Sequence, residues 1–452
     1  MKRRFEAQPS AEDRHCILTK RSQLSQRSED LNSPCEVTRD GGRQSMKGES
    51  VLRKEAQRHR GLRILILGVD IVDKYMFVGE KLSLFVALAK RGHMVTYTGG
   101  RTSGGHVISV IPKFKLETFG QSKIVPYLSR MILQFFALWK MLESIGRCDV
   151  VIFDNVRSPL PIASPILLIK RLGSSRPTVL LRITTNPQET GSGLRGLLMN
   201  FEDALSMKLS ATFFDGIFFN SPMMAQMYVS KFHIPSTKIG IWPPAVGEAF
   251  FAKQSKSKMG SLRKGLEPNG LLVIYHGYFS KARNLMKTVQ AFKLLKDASI
   301  KAKLILLGDG PLRDELLHYV STNRLDDVIQ LLGPVGYSTV PEYIVACDVG
   351  IIPLPDHEWF RYGCPNKLLE YLAMGKPVIV SNIPANSWVV SRAPIASFLD
   401  GTSANDIAEG VKRFIASREN LCPECGREVA KAFSAEQIAE SVESQILSFA
   451  RN

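Results

Sequence analysis

Along most of the chain, short unbroken apolar runs alternate with segments whose apolar residues recur every three or four positions. Residues 62–68 (LRILILG) form one such run, and residues 80–99 (EKLSLFVALAKRGHMVTYTG) then read as an amphipathic helix, a Gly-His turn and a second strand. CDVVIFDN (148–155), PTVLLRITT (177–185) and GIFFNS (216–221) continue the series, with helical material between them. Runs this short and this apolar suit parallel strands covered by helices on both faces. The pattern pauses over residues 238–270, where Pro243-Pro244 and the Lys/Ser/Gly stretch after Phe251 predict an interdomain crossing and a loop. It restarts with strands at 271–279, 301–310, 328–335, 348–355 and 377–382, separated by helices around 284–297, 311–321 and 338–346. A closing amphipathic helix is predicted at 434–450.

The expected organisation is therefore a basic tail (1–60), an N-terminal α/β domain (61–245), a C-terminal α/β domain (246–432) and a closing segment (433–452). Two doubly wound, Rossmann-like domains facing each other make a cleft, and ligands of such sheets bind beyond the carboxyl ends of the strands. A chain of 452 residues with 44% apolar content is long enough for two such cores.

Charge adds a disordered segment to this picture. The chain carries a formal net charge of +17, and residues 1–60 contribute fourteen Lys/Arg against nine Asp/Glu with almost no apolar periodicity. The tail lacks the apolar core of a signal peptide, and its acids argue against an organelle-targeting leader, so a cytoplasmic protein is expected. The basic balance is compatible with nucleic acid, an anionic membrane face or phosphorylated ligands; no nucleic-acid motif selects the first. Residues 124–145 place Leu128, Ile132, Phe135, Trp139 and Leu142 at helical spacing, interrupted by Arg130 and Lys140, which suits a core-facing helix or one lying on a membrane surface. Seven cysteines form no disulfide framework; Cys422-Pro-Glu-Cys425 is half a zinc pattern and reads as two ordinary thiols near a helix start. His93 reads as packing or capping a turn, and Asp356, His357 and Glu358 as a mobile polar loop.

Candidate chemistry concentrates in the second α/β unit. Gly277 ends a strand and lets the backbone approach a ligand, while Lys281 and Arg283 can reach an anion at the following helix. Gly308 lies at another strand-to-helix turn. There is no Walker sequence, because Gly375-Lys376 lacks its upstream glycine and is followed by proline. Gly363, Pro365, Asn366 and Lys367 suit a helix start that accepts a phosphate, and Glu370 lies one turn deeper, placed to accept hydrogen bonds from ribose hydroxyls.

HGYFSKARNLMKTVQAF, LILLGDGPLRDELL, ACDVGIIPLP, PNKLLEYLAMGKPVIVS and GREVAKAFSAEQIA, in that order, resemble the retaining nucleotide-sugar glycosyltransferases called glycosyltransferase group 1. The likeness spans roughly residues 62–450 and is strongest from 271 to 440. It implies the GT-B fold and transfer of a sugar from a nucleoside diphosphate sugar to an acceptor hydroxyl with retention. It also implies no cofactor and no metal. By that resemblance Arg283 takes the basic position on the donor diphosphate, with Lys281 beside it, and Glu370 matches the second acid of the family's Glu-x7-Glu motif, on the donor ribose. Gly79 falls in the first loop; Gly277, Gly308, Val335, Tyr337, Pro365, Asn366 and Lys367 fall where the family approaches the nucleotide. Four positions depart: Tyr278 replaces an arginine, Tyr362 replaces the first acid, the first loop carries Val78-Gly79 rather than two glycines, and Arg182-Ile-Thr-Thr-Asn186 stands where an acceptor-side histidine is expected. These departures keep an inactive GT-B binding protein open as an alternative, and the shared fold keeps a nucleotide-sugar epimerase open. The acceptor is read as a glycan, a lipid-linked sugar or a small molecule, and peripheral association with the inner face of a membrane is compatible with the basic surface.

Overall fold

The computed structural model describes residues 61–71, 77–101, 107–111, 114–120, 147–154, 177–184, 194–266, 270–391 and 393–450. The tail and the 124–145 segment, with the readings attached to them, lie outside these residues.

The first sheet contains β1 (Arg63–Ile71), β2 (Met94–Arg101), β3 (Val107–Ile111), β4 (Phe114–Gly120), β5 (Val150–Asp154), β6 (Thr178–Ile183), β7 (Gly216–Phe219) and β8 (Ile239–Ile241). Its order is β3-β4-β2-β1-β5-β6-β7-β8, parallel throughout except for the β3–β4 hairpin. The second sheet contains β9 (Leu271–Tyr278), β10 (Ala302–Asp309), β11 (Ile329–Leu332), β12 (Val349–Ile352), β13 (Val378–Ser381) and β14 (Ala396–Leu399), in the all-parallel order β11-β10-β9-β12-β13-β14. That is the 3-2-1-4-5-6 order of a doubly wound sheet, and its direction reverses between β9 and β12. In the first sheet the corresponding reversal lies between β1 and β5.

The described helices of the first half are α1 (Phe77–Lys90), α2 (Leu194–Phe213) and α3 (Pro222–Phe232). Those of the second half are α4 (Lys256–Gly265), α5 (Leu285–Asp297), α6 (Arg313–Thr322), α7 (Val340–Ala346), α8 (Glu358–Arg361), α9 (Asn366–Ala373), α10 (Pro384–Val390), α11 (Ala404–Ser417) and α12 (Pro423–Lys431). The last helix, α13 (Ala435–Phe449), returns to the first sheet, where Phe449 meets Phe218 edge-on at 5.5 Å and Gln445 pairs with both backbone polar groups of Ile241. One apolar cluster runs from Ile64, Leu84 and Phe85 through Trp242, Phe250 and Ile344 to Leu368 and Tyr371, so both sheets share a core at the crossing. No described helix is long and apolar enough to cross a membrane.

Three local expectations are corrected. The polar stretch after Phe251 is a helix, α4, because Ser255 caps it by accepting the Lys258 N–H and Leu262 and Leu266 reach the core from successive turns. Cys422 and Cys425 are joined in a disulfide rather than free; the expected helix start is present, with Cys422 as the N-cap of α12. Asp356, His357 and Glu358 are held in place: His357 caps the single-turn helix α8, and Asp356 pairs with Arg361 at 2.7 Å. His93 packs as expected, accepting the Leu62 N–H at Nδ1 (3.1 Å) and facing Glu443 of α13 through Nε2 (3.1 Å).

Candidate nucleotide-sugar site

β9 carries its buried register to Tyr275 and His276 before the strand ends at the exposed Tyr278. Gly277 and Gly308 close this end: both have positive φ (125° and 143°), and a Cβ at Gly308 would stand 2.0 Å from the Gly277 carbonyl oxygen. Only glycine lets the β9 and β10 ends approach so closely. The chain then enters a 3-10 turn, Lys281–Arg283, and leaves it through Asn284 in a left-handed conformation (φ 61°). The Asn284 side chain donates to the Thr402 carbonyl at 2.7 Å, which ties the turn to the loop before α11.

Arg283 lies close enough to Tyr275 for its charge to favour the ionised phenol. Burial raises the Tyr275 phenol above its ordinary pKa despite that contact, so it stays protonated and donates to the Tyr278 carbonyl at 3.2 Å. From the other side comes α9, with Pro365 as its N-cap and no side chain capping its first N–H groups. Lys367 lies with Nζ 5.2 Å from the Tyr275 ring centroid. Burial, and then the charge of Arg283, hold the Lys367 amine well below its ordinary pKa, with Glu370 opposing them. The Arg283 guanidinium and the Lys367 amine thus converge beside an uncapped helix start, and an anion bound there would favour the charged form of the amine.

Glu370 is buried, not a solvated helical acid. Its Oε2 lies 3.2 Å from His276 Nε2. Burial and the nearby Lys367 hold the His276 imidazole well below its ordinary pKa, so this ring is neutral. Tyr371 packs against it: the Tyr371 hydroxyl donates to the Ile274 carbonyl (3.0 Å) and accepts the His276 backbone N–H (3.3 Å), and the two rings meet edge-on. A buried carboxylate one helical turn from that start can accept hydrogen bonds from vicinal hydroxyls.

The structure brings Gly277, Arg283, Pro365, Lys367 and Glu370 to the β9–α9 junction, with Gly308 at the neighbouring strand end and Asn366 exposed on the first turn of α9. Lys281 does not join them; its amine pairs with Glu315 of α6 at 3.4 Å and is largely solvent-exposed, because the 3-10 turn directs Arg283 inward. Gly79 lies in the first turn of α1 rather than in a loop. Tyr337 packs on Phe250 at 5.1 Å, and Val335 lies against the same core. Tyr362, in place of the family's acid, turns to the other sheet: its carbonyl accepts the Ser221 hydroxyl at the start of α3, and its side chain packs against the first sheet's core.

A second cluster escaped the sequence reading. At the β1/β5 reversal of the first sheet, Asp154 is fully buried between Lys81 of α1 (2.6 Å) and Arg182 of β6 (3.3 Å). Burial opposes its ionisation, but the two cations prevail and hold its carboxyl below the usual range. The Arg182 guanidinium stacks 4.5 Å from the Trp242 ring. The signal was an acid closing the apolar run VVIFD at a switch-point strand; its partners, 73 and 28 positions away, become neighbours only through the topology.

The chain is similar over 209 residues, at 24% identity, to the D-inositol 3-phosphate glycosyltransferase of Paenarthrobacter aurescens, covering 45% of this chain and 50% of that one. Over 176 residues it is 27% identical to the GDP-mannose-dependent alpha-(1-6)-phosphatidylinositol dimannoside mannosyltransferase of Mycobacterium tuberculosis, covering 39% and 43%. The chain thus spans about half the length, or less, of the curated relatives it matches. The crystal structure of Anabaena HepE in complex with UDP superposes with a TM-score of 0.63 at 14% identity, over 86% of this chain and all of that one, which places the fold among two-domain GT-B structures. Residues 270–417, which contribute every member of the β9–α9 cluster, match the family model of Glycosyl transferases group 1.

Proposed function

We propose that the protein transfers a sugar from a nucleoside diphosphate sugar to an acceptor hydroxyl, with retention of anomeric configuration. The observation that carries this reading is the convergence of Arg283, Lys367 and the α9 N-terminus above the buried Glu370, at the carboxyl ends of the second sheet's strands. The donor's diphosphate takes the cationic seat and its ribose hydroxyls donate to Glu370. As the glycosidic bond breaks, negative charge grows on the leaving diphosphate, and Arg283, Lys367 and the helix N–H groups stabilise it. The leaving phosphate oxygen accepts the acceptor's proton on the face from which the acceptor attacks. The acceptor lies across the cleft against the first sheet and is a glycan, a lipid-linked sugar or a small molecule; the protein works in the cytoplasm, at a membrane face when the acceptor is lipid-linked.

Support comes from the matched family model and from relatives whose names specify glycosyl transfer. The test is a thermal-shift screen with UDP-, GDP- and ADP-sugars, followed by product analysis of the anomeric configuration. Stabilisation by one donor series and turnover that persists in EDTA are expected. Tight nucleotide binding without transfer or hydrolysis would instead identify a binding protein, and an altered donor without an acceptor an epimerase.

A further inference from the structure

The Cys422–Cys425 disulfide closes the first turn of α12, which packs on α9. Cys422 caps α12, its Sγ accepting the Cys425 N–H at 3.2 Å, and its own N–H donates to the Pro394 carbonyl at 2.8 Å, just before β14. The next residue, Gly426, packs directly on α9: a Cβ there would meet Leu372 Cδ2 at 3.4 Å and Ile395 Cγ1 at 2.9 Å. One position on, Arg427 donates to the Met374 carbonyl at 3.4 Å and covers Gly375, which ends α9 with φ 64°. The disulfide-closed turn is therefore clamped between the approach to β14 and the C-terminal end of the helix that carries Glu370.

Both sulfurs sit in half-buried residues, whereas Cys347 and Cys364 are buried. Burial pushes the Cys347 thiol up to about 12 and the Cys148 thiol up to about 11. Two cysteines spaced C-x-x-C at a helix N-terminus favour the thiolate and hence thiol–disulfide exchange. We infer that Cys422 and Cys425 form a reversible redox pair, opened by a dithiol reductant, whose opening loosens the C-terminal turn of α9. In this exchange one thiolate of the reductant attacks Cys425 Sγ and displaces Cys422 as a thiolate, which the Cys425 N–H stabilises. The reductant's second thiol, as thiolate, then attacks the mixed disulfide, closing the reductant's own disulfide and releasing Cys425, which takes up a proton. Two electrons pass to the protein, and the reductant is oxidised to a cyclic or protein disulfide.

The test uses the full chain in native buffer, with reduced and oxidised dithiothreitol as probes. Peptide-mapped alkylation is expected to label Cys422 and Cys425 only after reduction, and oxidation is expected to remove the label. Amide exchange over residues 370–376 is expected to be several-fold faster in the reduced chain. The C422S/C425S variant is expected to match the reduced chain and to lose its response to dithiothreitol. Failure of the label to appear and disappear reversibly, or unchanged protection of residues 370–376 between the two states, overturns the inference. Neither readout involves a nucleotide sugar, so the outcome is independent of the proposed transfer reaction.

Discussion

Glu370 and His276 face each other at 3.2 Å within the proposed site. Under the proposed function, removing the carboxylate takes away the acceptor assigned to the donor ribose while leaving a helix packed by Leu368, Leu369 and Leu372. Glu370→Ala is expected to weaken donor affinity by ~1–3 kcal/mol, as for a lost charged hydrogen bond; titration calorimetry with the preferred donor measures it, and unchanged affinity removes Glu370 from the site. His276 makes a separate prediction about stability. Its imidazole is held neutral in the fold, well below its ordinary pKa, by burial and then by Lys367. The unfolded chain takes up that proton near pH 6.5 and the folded chain does not, so stability falls as pH drops below about 6.5 until the folded imidazole titrates. The slope amounts to ~1.4 kcal/mol per pH unit for one proton. Urea unfolding of wild type and His276→Gln across this range should therefore give diverging stabilities, with the wild type falling faster toward acid. Parallel curves mean that the buried ring is protonated in the fold.

At the scale of elements, legibility followed local pattern. β9, α5, β10 and α9 were readable because each combines a strong apolar period with a glycine, proline or cap at its end. α4 was not, since KSKMGSLRKG carries three lysines, two serines and two glycines, and its helical state rests on a Ser255 cap and on Leu262 meeting a core formed by distant residues. β8 and β14 were also missed: three or four residues of IGI or ASFL become strands only because β7 and β13 present free edges to them. The pairing of Asp154 with Lys81 and Arg182 and the turning of Tyr362 toward Ser221 depend on where separate elements meet. Neither has a local signature. α4 gives a direct check. A Cβ at Gly260 meets nothing within 4 Å, so Gly260→Ala adds no clash and removes the entropy cost of an interior helical glycine. It should stabilise the protein by ~0.5–1 kcal/mol, read as a higher urea midpoint. A loop at this position would show no such gain.

For the whole molecule, the decisive feature is that the chain does not end in the sheet it last builds. After β14 and α12 it crosses back at Val246, whose N–H donates to the Phe433 carbonyl and whose carbonyl accepts the Ala435 N–H, and α13 then lies against α1 and β8. Arg91 and His93 meet Glu443 there, and the Phe449 ring fills the space beside Gly216 that a side chain would occupy. The first domain is therefore completed by the last helix, and the two sheets are tied at both the 246 crossing and the Ser221–Tyr362 contact. Phe449→Ala removes a buried ring whose neighbours Phe218 and Trp242 sit in edge contact, at a cost of ~3–5 kcal/mol for a core phenylalanine. Because Trp242 stands in that contact, its fluorescence reports the unfolding of the first domain. The variant should lose this signal at a clearly lower urea concentration than wild type, and a fragment of residues 61–245 should show no cooperative transition. An unchanged midpoint in the variant, or a cooperative transition in the fragment, means that the first domain folds without its closing helix.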